Sequence, residues 1–282
     1  MLEKTTWKRG KNMEKKKGIS QETLKLIACV AMLIDHVGAT LVLLLFMRNP
    51  VDSPANIWLE CLYRGMRLIG RIAFPIYCFL LVEGAYHTRD PKKYALRLFI
   101  GMLLSEIPFD LAFSPTWLVY EWKLTTPLLG FNPGFNSVMM TLLLGFGMIQ
   151  CMKRVKGFWK AVMILPFYFL AEALDTDYSG MGILLIAVFA LTRGVKYEKL
   201  LCILGCAVVL NSGFKDMQIF GIWINTEIFA LLALIPIFCY DGRKLTHNKA
   251  VQWGFYLFYP VHILILALLK FLIFDSTPLI CR

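Results

Sequence analysis

Long apolar runs separated by short charged turns recur along nearly the whole chain. A helix that crosses about 30 Å of hydrocarbon needs about 20 predominantly apolar residues. Runs near that length predict helices over 23–47, 68–87, 94–113, 136–152, 157–174, 180–194, 199–212, 218–240 and 250–273, with a tenth, partial helix near 54–66. No soluble domain, low-complexity segment or internal repeat interrupts them. The polar, basic stretch 1–22 reads as a cytoplasmic tail, and 23–282 as a single transmembrane domain. The first apolar run is too long for a signal-peptide core and lacks a small-residue cleavage site. The expected class is therefore all-α and polytopic, with about nine to ten transmembrane helices enclosing a polar cavity.

Composition agrees. The 282 residues are 58% hydrophobic and 17% charged, against about 45–50% and about 25% in soluble domains. A surplus this large cannot be hidden in one soluble core. The eight cysteines fall mostly in apolar runs without framework spacing, so they read as small hydrophobes and not as a disulfide set or metal site.

The net charge of +11 excludes little alone, but its distribution carries information. Lys and Arg collect in the tail and in alternate loops: Arg89, Lys92, Lys93 and Arg97; Lys153, Arg154, Lys156 and Lys160; Arg193, Lys196 and Lys199; Arg243, Lys244 and Lys249. The intervening loops are neutral or acidic, with Asp110, Glu121, Glu172, Asp175 and Asp177. Positive loops stay cytoplasmic, so the expected protein is a multi-pass cell-membrane protein with its N-terminus inside and its C-terminus outside. The same reading assigns the charge to orientation and membrane lipids, not to nucleic acid.

Ionisable groups at membrane depth are costly, and by default they mark function. Lys25 and His36 are eleven residues apart in KLIACVAMLIDH, which is three helical turns plus about 20°, on one face and about 16 Å apart along the axis. Lys25 falls at the cytoplasmic interface and His36 near mid-membrane. Asp35 is about 100° round the helix, placed to engage another helix or to orient the imidazole through a shared partner. His262 reaches a similar depth from the last span, two residues after Pro260. Both an interhelical hydrogen bond and a catalytic role fit it. Arg64, Arg67 and Arg71 form one stripe, suited to pairing with Glu60, Glu106, Asp110 or Asp177 or, as the lesser alternative, to binding an anion. Glu83, Glu106, Asn136 and Thr141 are further polar insertions that pore lining or interhelical bonding would explain. His87 and His247 read as ordinary loop residues. Lys92, Lys93 and Arg97, with Lys25, form a basic cluster able to receive phosphate groups.

The blocks LKLIACVAMLIDHVGA, GRIAFPIYCFLLVEGAYHTRDPKKYALRLFIGMLLSEIPFDLAF, FNSVMMTLLLGFG, DTDYSGMGILL and FYLFYPVHILIL resemble successive blocks of the TraX family, in the family's order and over nearly the whole chain. That family is named for a conjugation protein that acetylates the N-terminus of pilin. It is distantly similar to the acyltransferase-three membrane enzymes, whose first helix carries a basic residue, ten residues and a catalytic histidine, as Lys25 and His36 do here. Their basic motif opening the third helix is approximated by Lys93 and Arg97 without its spacing.

The resemblance implies transfer of an acetyl group from acetyl-coenzyme A (acetyl-CoA) to a hydroxyl or amine of a peptide, glycan, lipid or small molecule. The donor nucleotide would rest among Lys25, Lys92, Lys93 and Arg97 while its thioester reaches mid-membrane. His36 would act as base, with Asp35 stabilising the imidazolium and Asn136 or Arg71 the oxyanion; His262 is the alternative base. A secondary transporter built on the same buried charges is the competing class, as is a non-catalytic partner of a membrane complex. The absence of a repeat between the chain halves speaks against a transporter.

Overall fold

The computed structural model describes residues 18–50, 53–113, 137–212, 217–219, 222–246 and 248–274. The first helix, α1 (Gln21–Arg48), is continuous over 28 residues. Ser20 caps it, its hydroxyl accepting the Thr23 amide at 3.2 Å. Leu24, Ala28, Ala31 and Met32 are buried on one face, while Leu26, Val30 and Leu33 are exposed on the other. A helix apolar all round belongs in lipid or a large core. Between Gly38 and Val42 the helix widens into a π-turn, a local irregularity often found beside functional groups. It begins just past His36, whose carbonyl accepts the Thr40 hydroxyl at 2.6 Å.

Next come α2 (Pro54–Gly70) and α3 (Ala73–His87), joined by a turn at Arg71 and Ile72. Ser53 and Pro54 supply the N-cap and first-turn proline that favour initiation. Then follow α4 (Pro91–Phe113), α5 (Val138–Met152), α6 (Trp159–Val162), α7 (Ile164–Ala173), α8 (Ser179–Thr192) and α9 (Glu198–Asn211). A two-stranded antiparallel ribbon, β1 (Met217–Ile219) with β2 (Ile222–Ile224), leads into a 3₁₀ segment, Thr226–Ala233, and α10 (Leu234–Phe238). The chain as described ends in α11 (Lys249–Phe274). Among the described residues the regular elements are helical except for that ribbon.

The centre is built by α3 and α8, whose Ile76, Cys78, Ala85, Ile183 and Ile186 are fully buried. Around them α1 packs on α2, α3 and α11, α4 on α5 and α11, and α8 on α5, α7 and α9. The start of the described chain meets the segment after α10: Ile19 donates to Cys239 O at 2.8 Å and Gln21 to Arg243 O at 2.9 Å. The Glu22 carboxylate also accepts the Leu245 amide at 2.8 Å. This fixes segment 241–246 beside the start of α1.

Among the described residues, three helices are long and apolar enough to cross a membrane: Gln21–Arg48, Pro54–His87 and Ala250–Ile273. The expectation of nine to ten is corrected by this count. The run 157–174 is split into α6 and α7, and 199–212 yields a helix of 14 residues, about 21 Å long. The run 218–240 is ribbon, 3₁₀ turn and a 5-residue helix. Its isoleucines satisfy hydropathy while their branching favours extended backbone. α4 is 23 residues long, but it carries Lys92, Lys93, Arg97, Glu106 and Asp110. The expected partial helix near 54–66 is a full helix continuous in direction of chain with the next. Outward apolar faces are extensive: on α11, Val261, Leu264, Ile265, Leu268 and Leu272 are exposed while Tyr259, His262, Ile263 and Leu266 face inward. Such a surface suits contact with lipid.

Candidate active site

A cavity of about 470 Å³ runs along α1 from Gln21 and Lys25 to Asp35, His36 and Ala39, a size usual for small-molecule and cofactor sites. Both Lys25 and His36 line it, as their shared helical face requires. At the Lys25 end lie Arg97, Lys244, Gln252, Phe255 and Tyr256. The Lys25 ammonium sits 5.2 Å from the Phe255 ring centroid, and the Arg97 guanidinium 5.4 Å from that of Tyr94. Neither cation has an acidic partner among the described ion pairs, so aromatic faces steady them while their charge stays available.

At the other end the charges are matched. Arg67 Nη1 meets Asp35 Oδ2 at 2.5 Å, and Arg71 Nη1 meets Glu227 Oε1 at 2.7 Å. The Asp35 side chain lies directly against Gly70, where any Cβ would collide with its carboxylate, so glycine there lets α2 approach α1. Asp177 is exposed, but what it faces is the cavity. The turn that carries it is strained: Asp175 and Ser179 adopt φ of 45° and 44°, a left-handed conformation unfavourable for residues with a Cβ. Glu172 steadies the turn by accepting the Gly180 amide at 2.9 Å. Beside Asp177, the Tyr178 ring stacks on Phe74 with centroids 3.6 Å apart.

Between these ends stands a pair of histidines. His36 Nδ1 lies 2.7 Å from His262 Nε2, and His262 Nδ1 lies 2.6 Å from Phe258 O. The rings are nearly parallel, 4° apart, with Phe113 and Phe258 packed beside them. A carbonyl can only accept, so neutral His262 carries its proton on Nδ1 and offers a lone pair at Nε2. His36 must then donate from Nδ1, which leaves its Nε2 as the unprotonated nitrogen. His36 is half-buried and lines the cavity, whereas His262 is buried behind it. A base held in one tautomer by a partner that is itself held is the logic of catalytic triads.

Asp35 engages another helix through Arg67, one of its two expected roles, and His262 makes an interhelical hydrogen bond, its partner being His36. Arg64 pairs with Glu60 at 2.8 Å and Arg71 with Glu227, so among the described ion pairs Glu60, and none of Glu106, Asp110 and Asp177, has an arginine partner of the predicted kind. Glu83 pairs with Arg193 at 2.7 Å and Glu106 accepts the Ser137 hydroxyl at 2.7 Å; neither lines the cavity. Lys92 and Lys93 are exposed and outside it. Lys93 is engaged by Asp90 at 3.3 Å, and the Lys93 backbone amide holds the Asp90 carboxyl below its ordinary range. His87 is exposed and bonds to Glu83 O at 2.8 Å. Asn136 and His247 lie outside the described residues. Not singled out from the sequence as site residues were Lys244, Glu227 and Tyr259. Only Tyr259 had a usable signal, standing three residues before His262 and thus on its face.

The described residues define a helical protein with three helices long and apolar enough to span a membrane and a hydrogen-bonded histidine pair beside a cavity. The TraX protein family model matches residues 20–270, and the chain belongs to the TraX family. It is 30% identical over 254 residues to the "probable fimbrial assembly protein FimC, serogroup H1" of Dichelobacter nodosus, covering 88% of this chain and 94% of that one. It is 23% identical over 267 residues to the Rickettsia prowazekii (strain Madrid E) protein RP591, covering 87% and 90%. No solved structure matches the chain significantly.

Proposed function

We propose that this protein is an integral membrane acyltransferase that moves an acetyl group from acetyl-CoA to a hydroxyl or amine of a membrane-associated or extracytoplasmic acceptor. The observation that carries this reading is the His36–His262 pair, 2.7 Å apart, with the free nitrogen of His36 in a cavity whose other end is basic. A nucleotide's phosphates fit the Lys25, Arg97 and Lys244 end, and about 16 Å of helical rise from Lys25 to His36 leaves room for the pantetheine arm between. By the positive-inside rule that basic end and the N-terminus would face the cytoplasm. Likeness to a fimbrial assembly protein directs attention to an acceptor among surface-fibre components.

In the transfer, His36 Nε2 takes the proton of the acceptor X–H as X bonds to the thioester carbon. The carbonyl π electrons move to oxygen. When the carbonyl re-forms, the C–S bond breaks and the departing thiolate takes the proton from the His36 imidazolium. The products are the acetylated acceptor and free coenzyme A.

The test uses membranes containing the full chain, labelled acetyl-CoA and mass spectrometry for an added acetyl group. A His36→Ala variant should lose about 10²–10⁴-fold in transfer rate while still binding coenzyme A. Undiminished transfer in that variant would remove His36 as base.

A further inference from the structure

The geometry points to Tyr259 as a further catalytic residue, its hydroxyl donating a hydrogen bond to the oxyanion that forms on the acetyl carbonyl; this rests on the acyl-transfer reading. Tyr259 is 5% exposed and lines the same cavity as His36. Its ring meets both histidines, with centroids 6.2 Å from His36 and 5.9 Å from His262, each edge-on. Its hydroxyl is buried with no hydrogen-bond partner among the described residues. The Val138 backbone amide faces the oxygen without closing a hydrogen bond. That amide can only donate, so the hydroxyl proton in particular has no acceptor.

A buried hydroxyl without an acceptor costs about 1–3 kcal/mol, and native structures tolerate such groups where a ligand or intermediate completes them. The other donors here are less suited. Arg67 is held by Asp35 and Arg71 by Glu227, so neither guanidinium is an uncommitted donor. Tyr77 is bonded to Cys29 at 3.1 Å. Tyr259 is thus the uncommitted neutral donor packed against the base. Its place follows from the sequence FYPVH: Tyr259 and His262 are one helical turn apart, so α11 presents donor and orienting imidazole together.

During transfer the acceptor's lone pair forms the new bond to the carbonyl carbon, and the former π pair rests on oxygen, where it accepts the hydrogen bond from Tyr259. The tyrosine keeps its proton throughout. Collapse returns the pair to the carbonyl and expels the thiolate, which takes its proton from His36. Donation is needed only while the oxygen is charged, so it lowers the barrier without strengthening ground-state binding.

Tyr259→Phe keeps the ring and removes the donor. With the full chain in detergent or nanodiscs, labelled acetyl transfer should fall about 10²–10³-fold. The KM for acetyl-CoA and the melting temperature should stay at wild-type values. Replacing Tyr259 with 3-fluorotyrosine, a stronger donor, should keep the rate at or above wild type. An active wild type with an equally active Tyr259→Phe variant would overturn this assignment alone. So would a loss carried by a raised KM or lowered melting temperature, the mark of a packing role. A wild type without any acetyl transfer would overturn the acyl-transfer reading, and this assignment with it.

Discussion

The two ends of the cavity hold charge in opposite ways. Around Asp35 every arginine is matched, Arg67 to Asp35 and Arg71 to Glu227, and the histidines form a hydrogen-bonded chain ending on Phe258 O. At the Lys25 end, Lys25 and Arg97 lie over aromatic rings, and Lys244 sits in an exposed coil. Interlocked pairs fix atoms but leave little net field. Uncommitted cations make a field but fix no atom. Positioning a reacting group demands the first arrangement, and attracting a polyanion demands only the second. The chemistry and the reception of the donor are therefore separable, and substitutions at the two ends should have different signatures.

The largest effect is expected where the interlocking is broken. Asp35→Ala leaves Arg67 unpaired in a partly buried setting, which costs about 3 kcal/mol or more. A fall in melting temperature should accompany the loss of activity. Adding Arg67→Met to Asp35→Ala removes the stranded charge, so the double variant should melt above the single one. A double variant no more stable than Asp35→Ala would show that the pair does not couple α1 to α2.

A smaller and purely kinetic effect is expected at His262. His262→Leu removes the acceptor of the His36 Nδ1 proton, freeing the ring to change tautomer, and should lower kcat about 10–100-fold with the donor KM unchanged, as for supporting residues of other ligand shells. His262→Gln offers an oxygen to the same Nδ1–H and should recover most of the loss. Equal losses in the leucine and glutamine variants would reduce His262 to a packing role.

What could be read from the sequence follows the same division. The shared face of Lys25 and His36 is a local consequence of helical period, and both residues line the cavity. His262 was visible because a histidine in an apolar run is costly wherever it sits. The partners were not visible. Asp35 meets Arg67 across 32 residues and His36 meets His262 across 226, and nothing in a single chain's periodicity specifies which helix abuts which. The strands Met217–Ile219 and Ile222–Ile224 fell at the start of the predicted span 218–240 because hydropathy does not distinguish a helix from branched residues in extended backbone. Lys92 and Lys93 were grouped with Arg97 by proximity in sequence, but α4 turns only Arg97 toward the cavity.

The smallest effect separates the expected basic cluster from the one the fold assembles. Segment 241–246 is pinned to α1 through Glu22 and Gln21, which is how Lys244 comes to line the cavity mouth. Its charge acts on a phosphate through solvent, an interaction worth at most about 1 kcal/mol. Lys244→Gln should therefore raise the KM for acetyl-CoA about fivefold and leave kcat alone. Because salt screens exposed charges, the difference from wild type should shrink as ionic strength rises. Lys93→Gln should change neither constant, since Lys93 points away and is engaged by Asp90. Equal effects from both lysines would mean that the mouth attracts its ligand through total charge alone, and that the position of Lys244 in the fold is immaterial.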